Sequence, residues 1–257
     1  MNNKIIALFF SATDTTAKYV NTVVSAFKNQ VDCCINLADD LNMPLPEISA
    51  DDIVIFAAPV YGGRLPEMVA KRFAALKGND ANAIAMVVYG NRDYDDALLE
   101  LTDIVSANGF NVVGVGAFIG QHSIFPCVAK NRPDESDLKI AIDFATKCKE
   151  AIADSKHGTL TIKGNHPYKK IMNVGLTPKV NIGLCNRCGL CATNCPANAI
   201  SKDDPTITSV DKCISCGRCI IHCPNRARSY TGLKYKLIGA IFTKAFSKRK
   251  EPEVYVV

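Results

Sequence analysis

The stretch KIIALFFSATDTTAKYV, Lys4 to Val20, sets a continuous apolar run before a hydroxyl-rich turn and a segment of helical pattern. The apolar run does not alternate, so it reads as a parallel strand covered on both faces. A strand, a short hydroxyl loop and a helix N-terminus make an anion site, because backbone N–H groups and the helix dipole converge there. Asp14 puts a negative charge into that loop. It is expected to cap the helix by accepting from the Thr16 or Ala17 N–H, with its carboxylate turned away from the anion.

The same unit recurs downstream. Apolar runs fall at VDCCINL (Val31–Leu37), DIVIFAAP (Asp52–Pro59), AIAMVVY (Ala83–Tyr89) and VVGVGAF (Val112–Phe118). Helical patterns lie at Thr15–Asn29, Pro66–Lys77, Tyr94–Asn108 and Asp134–Asp154, the last capped by Asp134 or Ser136 after Pro133. Five strands with crossover helices give an α/β, doubly wound parallel sheet over residues 1–155. Ligands bind such sheets outside the carboxyl ends of the strands, where strand order reverses. Residues 156–179 break the pattern with Gly158, Gly164, Pro167, Gly175 and Pro178 among five lysines, and read as a basic connector lying on a surface.

Residues 180–230 hold an internal repeat. CNRCGLCATNCPANA begins at Cys185 and CISCGRCIIHCPNRA at Cys213, an offset of 28 residues. Both copies read C-x2-C-G-x-C-x3-C-P-x-x-A. This is the ferredoxin spacing for [4Fe–4S] clusters: three thiolates of one run wrap one cube, and the fourth, before Pro, reaches the cube of the other run. The ligand sets are Cys185, Cys188, Cys191 and Cys223 for the first cluster, and Cys213, Cys216, Cys219 and Cys195 for the second. Zinc would take four thiolates from two C-x2-C knuckles and would need neither the third cysteine nor the C-P ending. The remaining Cys33, Cys34, Cys127 and Cys148 have no ligand spacing and read as buried thiols.

This half resembles the two-cluster bacterial ferredoxins, with a complete match to their cysteine pattern. The resemblance implies a small α+β domain and one-electron transfer at low potential. Each oxidised cube with its thiolates carries about −2, so two bring the formal charge of +5 down to about +1. The basic balance therefore does not call for nucleic acid. Twelve cysteines in a chain that opens on a strand rather than a leader point to a reducing, cytoplasmic compartment. No run reaches the roughly 18 apolar residues of a membrane span.

Three loops at the expected strand ends, SATDTT, APVYGGRLP and YGNRDYDDAL, resemble the FMN loops of flavodoxins. The resemblance assigns FMN to Ser11, Ala12, Thr13, Asp14, Thr15 and Thr16, to Pro59, Val60, Tyr61, Gly62 and Gly63, and to Gly90, Asn91, Arg92 and Tyr94. Tyr61 and Tyr94 match the aromatic residues that sandwich the flavin ring, and Gly62 matches the peptide that meets flavin N5. Asp14 and Thr15 stand where the family has Gly and Asn. Arg92 is expected to approach flavin N1 and the C2 oxygen, its alternative being a pair with Asp95 or Asp96. His122 is a candidate proton donor to the flavin, its alternative being a local hydrogen-bonding role. With YGNRDYDDALLEL, FIGQHS and NRPDESDL, the whole chain resembles the fused flavodoxin–ferredoxin proteins of anaerobic bacteria and archaea.

That resemblance implies an electron carrier passing electrons between two [4Fe–4S] clusters and FMN, with a redox donor and acceptor it does not specify. A reductase of a small acceptor fed by the clusters, and a ferredoxin whose flavodoxin-like half holds no flavin, are the alternatives. No GxGxxG follows a strand, which argues against a built-in NAD(P)H site. Residues 231–257 form a basic tail in which Leu233, Leu237, Ile241, Phe242 and Ala245 recur at helical spacing. The tail is read either as a helix packed on the protein or as a peripheral contact with an anionic membrane.

Overall fold

The continuous apolar runs become strands because helices pack on both faces of the sheet they form. The computed structural model describes residues 4–27, 31–171 and 175–257. In chain order the first half runs β1 (Ile5–Phe9), α1 (Thr15–Ala26), β2 (Val31–Asn36), β3 (Ile53–Pro59), α2 (Glu67–Ala74), β4 (Asn82–Tyr89), α3 (Ala97–Ala107), β5 (Asn111–Ile119) and α4 (Glu135–Ala153). The expected end of the first helix at residues 28–29 lies outside the described residues. The helix α4 opens as anticipated: Asp137 N–H donates to Asp134 at 3.1 Å, and Asp134 N–H donates back to Asp137 at 3.0 Å.

The strands β1 to β5 are all parallel, in the order 2-1-3-4-5. That is the flavodoxin order, whose switch point lies between β1 and β3. One face buries Phe56, Phe73, Phe110 and Leu101 under α2 and α3; the other buries Tyr19, Phe118 and Phe144 under α1 and α4. The strand β2 departs from the expectation of burial on both faces. It is the edge strand, and its residues alternate between covered and open. Cys34 is accordingly exposed and Cys33 half-buried; Cys127, in a loop, is exposed too, and of the four only Cys148 is buried.

The second half contains β6 (Lys179–Val180), α5 (Leu190–Thr193), α6 (Arg218–Ile221) and β7 (Arg228–Ser229), with β6 antiparallel to β7. Its backbone repeats with its sequence. Arg187 and Ser215 (φ 56° and 54°), Gly189 and Gly217 (77° and 78°), and Asn198 and Arg226 (47° and 51°) all adopt left-handed conformations 28 residues apart.

The tail helix packs on the protein, the first of its two readings. The helix α7 (Leu233–Ala245) lays Ile238, Phe242 and Phe246 against Phe125 and Val128 of the loop after β5, leaving Leu233, Leu237 and Ile241 exposed. The chain then enters β8 (Glu253–Val256), which pairs antiparallel with β5. The sheet thus has six strands, with the C-terminal strand on its far edge. Among the described residues no helix is long and apolar enough to cross a membrane.

Candidate functional site

The carboxyl ends of β1, β3, β4 and β5 open into a cavity of about 370 Å³, within the range of small-molecule and cofactor sites. The first loop supplies its anion end. Ser11, buried, is locked by four bonds: its N–H donates to Asn36 Oδ1 at 2.8 Å, its Oγ accepts from Ala17 N–H at 3.0 Å, and its carbonyl accepts from Asn36 Nδ2 at 3.3 Å and from Arg218 Nη1 at 3.1 Å. The N–H groups of Thr13, Asp14, Thr15 and Thr16 have no acceptor among the described residues, and Thr13, Thr15 and Thr16 line the cavity. These are free donors at the start of a twelve-residue helix, where a phosphate is held without any cationic side chain. Asp14 does not cap the helix. It sits in a left-handed conformation at φ 61° with its carboxylate exposed and making no cap bond, and Ser11 Oγ takes the Ala17 amide instead. The carboxylate is nonetheless turned out of the cavity, as expected.

The second loop is a tight hairpin. Tyr61 N–H donates to Arg64 O at 2.9 Å, and Arg64 N–H donates back at 3.3 Å across Gly62 (φ 63°) and Gly63 (φ 88°). Two successive positive φ values suit a Gly-Gly pair, and a Cβ on Gly63 would stand 2.2 Å from an Asp95 oxygen. The turn presents Tyr61 to the cavity. Burial, then Cys216 and Tyr230 nearby, raise the Tyr61 hydroxyl well above its ordinary pKa, so it stays protonated. Arg64 points away, its guanidinium bidentate on Glu100 at 2.8 Å and over the Tyr168 ring at 4.6 Å.

The third loop is divided in its use. Gly90 and Arg92 line the cavity, but Arg92 is paired with Asp95, so the surface-pair alternative is the arrangement found. Tyr94 and Asn91 do not reach the cavity. Tyr94 is buried edge-on to Tyr89 and donates its O–H to Glu253 of β8 at 2.6 Å. Asn91 donates its amide to Phe246 O at 2.8 Å and Lys248 O at 2.9 Å, and accepts from Lys250 N–H at 3.3 Å. Both residues grip the returning C-terminal segment. The other rings lining the cavity with Tyr61 and Tyr89 include His122, Phe125 and Phe242, from the loop after β5 and from α7. Nothing in the sequence tied Phe242 to this site, because only the return of the tail brings it there.

His122 lines the cavity with its Nδ1 accepting from the Ile124 and Phe125 amides at 3.2 and 3.1 Å, which places the neutral ring's proton on Nε2. Burial, then the Arg92 charge, lower its pKa to about 4. It is neutral at physiological pH and offers a hydrogen bond to a ligand rather than an acidic proton. The local hydrogen-bonding alternative describes it.

The ferredoxin-type half closes the cavity: Cys213, Ile214 and Ser215 line the same space as Thr13 and Tyr61. The eight repeat cysteines gather as the spacing requires. Cys185, Cys188, Cys191 and Cys223 surround one small cavity, and Cys195, Cys213, Cys216 and Cys219 surround another. Among the described residues no group of three His, Cys, Asp or Glu is arranged to hold a single metal ion; the thiols stand around the rims of two voids. Backbone amides already serve the crossing cysteines, with Ala199 N–H donating to Cys195 sulfur at 3.3 Å and Ala227 N–H to Cys223 sulfur at 3.2 Å. Four soft donors per void with N–H groups aimed at sulfur fit a [4Fe–4S] cube.

Residues 184–228 match the family model for a 4Fe-4S dicluster domain. A protein named "Probable ferredoxin" from Methanosarcina thermophila is 49% identical over 37 residues, which is 14% of this chain and 64% of that relative. The chain therefore spans less than two thirds of that relative's length. Among solved structures, the rubredoxin oxygen:oxidoreductase of the anaerobe Desulfovibrio gigas has a TM-score of 0.44 at 15% identity, over 60% of this chain and 37% of that one. A flavodoxin from the domain Archaea has a TM-score of 0.41 at 12% identity, over 58% of this chain and 99% of that one. The Fusobacterium nucleatum flavodoxin bound to flavin mononucleotide has 0.40 at 13%, over 60% and 99%.

Proposed function

We propose that this chain, a flavodoxin-like sheet fused to a 4Fe-4S dicluster segment, passes electrons between two [4Fe–4S] clusters and one FMN. The observation that carries the reading is the shared wall: Cys213, Ile214 and Ser215 of the second cysteine run line the same cavity as the loops after β1, β3, β4 and β5. FMN, when bound, exchanges one or two electrons and so links one-electron carriers to pair chemistry. The chain's own residues do the rest. The free amides of residues 13–16 would hold the phosphate, and Tyr61 would line the space for the ring. His122 keeps a neutral Nε2–H on the cavity wall, while Ile238 and Phe242 of α7 exclude water from above.

The second cysteine set is the one next to the flavin site, and the first lies farther out. Cys188 is exposed, and Ile182, Leu184 and Leu190 around the first set are 61%, 50% and 44% exposed. That placement supports the order outside partner, first cluster, second cluster, FMN. Anaerobic purification with released flavin, iron and sulfide counted per chain tests the reading. About one FMN and about eight iron per chain are expected. Eight iron with no FMN bound, even after FMN is added, would overturn it.

A further inference from the structure

We propose that Arg218 is a positioning residue that ties the second cluster to the phosphate loop, so that the two cofactors reinforce each other's binding and potential. The inference rests on the reading of the cavity as the FMN site.

The two halves of the repeat differ at one informative place. The residue after the conserved Gly is Leu190 in the first copy, 44% exposed, and Arg218 in the second, 4% exposed. A buried guanidinium needs a specific reason, since desolvating a charge is costly unless it is paired and hydrogen-bonded. Arg218 Nη1 donates to the Ser11 carbonyl at 3.1 Å, and Nη2 is paired with Asp39. Ser11 is the residue whose carbonyl orientation sets the direction of the free amides that follow it. Arg218 and Asn36 hold that one carbonyl together.

The other end of the side chain belongs to the cluster. Arg218 lies between Gly217 and the ligand Cys219, and it lines the void surrounded by Cys195, Cys213, Cys216 and Cys219. Its Nε is buried and has no partner among the described residues. A fully buried N–H on a charged group is expensive to leave unmade. Arg218 lines the void ringed by four thiols, and the acceptor this proposal assigns to its Nε is cluster sulfur. The backbones are equally close: a Cβ added to Gly217 would stand 3.9 Å from the Thr13 methyl and 3.7 Å from the Ser123 carbonyl. Arg218 therefore joins the loop for the flavin phosphate, through its guanidinium, to the lining of the second void. Filling either site fixes the guanidinium and removes part of the ordering cost for the other, a reciprocal coupling. Its positive charge and its N–H also favour the reduced, more negative cluster.

The test uses wild type, Arg218→Leu (the residue of the first repeat) and Arg218→Lys, all purified anaerobically with iron counted. FMN affinity is read by flavin fluorescence quenching, and cluster potentials by an EPR-monitored titration. Arg218→Leu is expected to weaken FMN about tenfold, about 1.4 kcal/mol, and to shift one cluster to lower potential while leaving the other in place. Arg218→Lys is expected to restore the potential and only part of the affinity. FMN affinity within about twofold of wild type overturns the proposal. So does a loss of affinity that leaves both potentials unmoved, because that makes Arg218 a mere prop between the halves. If Arg218→Leu does not assemble, Asp39→Asn releases the guanidinium from the exposed side. It is expected to weaken FMN several-fold, and unchanged FMN affinity in that variant overturns the proposal. A wild type that carries its clusters and binds no FMN is a different failure: it removes the cavity reading, and this inference falls with it.

Discussion

At the scale of single residues, the chemistry of the cavity turns on groups held in their uncharged forms. His122 is the clearest. Its pKa is lowered to about 4 by burial first and by Arg92 second, against an ordinary 6.5 in the unfolded chain. Between those values the unfolded chain binds a proton that the fold refuses, so stability rises with pH across this window and is lost as pH falls from about 6.5 toward about 4. Wild type should lose about 2 kcal/mol more than His122→Gln between about pH 7 and about pH 5, read as the difference in urea midpoints. Parallel losses in the two proteins would mean that His122 titrates normally and is available as an acid. Tyr61 acts in the same register: a phenol that keeps its proton contributes ring surface and a hydrogen bond, not charge.

At the scale of elements, the loop YGNRDY serves the C-terminal strand more than the cavity. Asn91 holds the backbone of residues 246–250 with three hydrogen bonds, and Tyr94 holds Glu253 of β8. Asn91→Gly deletes the side chain while tolerating the φ of 63° that Asn91 adopts. The expected result is a loss of about 2 kcal/mol in stability and at least roughly tenfold faster amide exchange over β8. Protection of β8 equal to wild type would show that strand pairing with β5 alone keeps the tail in place. The same loop marks where the sequence could be read and where it could not. The five parallel strands and the start of α4 were legible, because burial on both faces writes continuous apolar runs and the capping box of α4 needs particular side chains. The gathering of the eight repeat cysteines around two voids was legible because a cube needs fixed spacing. The strand β8 was not: it is four residues long, follows Pro252, and borrows its partner from 136 or more residues earlier. Once β8 is unseen, Tyr94 and Asn91 look free for a flavin, and Phe242 looks like part of a tail helix with no tie to the cavity.

At the scale of the whole molecule, the halves are joined through more than their cofactors. The connector is fixed to the first half by acidic residues of the loop before α3: Lys163 bonds Asp93 at 2.9 Å, Lys169 pairs with Asp95 at 3.0 Å, and the Asn165 and Lys169 amides donate to Asp96 at 2.9 and 2.7 Å. Cys216 and Ile214 pack into the same core as Phe56 and Tyr61. The second cysteine set lines the cavity and the first is the more exposed, and the proposed route therefore takes an incoming electron to the first set before the second. Cys188→Ser tests that order, since Cys188 is an exposed ligand whose loss leaves the cavity wall untouched. The variant should fall from about eight iron to about four, keep its FMN affinity, and accept electrons from a reduced ferredoxin-sized donor at least roughly tenfold more slowly, about 1.4 kcal/mol in barrier. The readout is bleaching of the FMN absorbance after rapid mixing. A protein donor is required because a small reductant can enter the cavity and bypass both clusters. FMN bleaching at the wild-type rate would place the entry point at the second cluster, and the outer cluster would then be a side branch rather than the first step of the path.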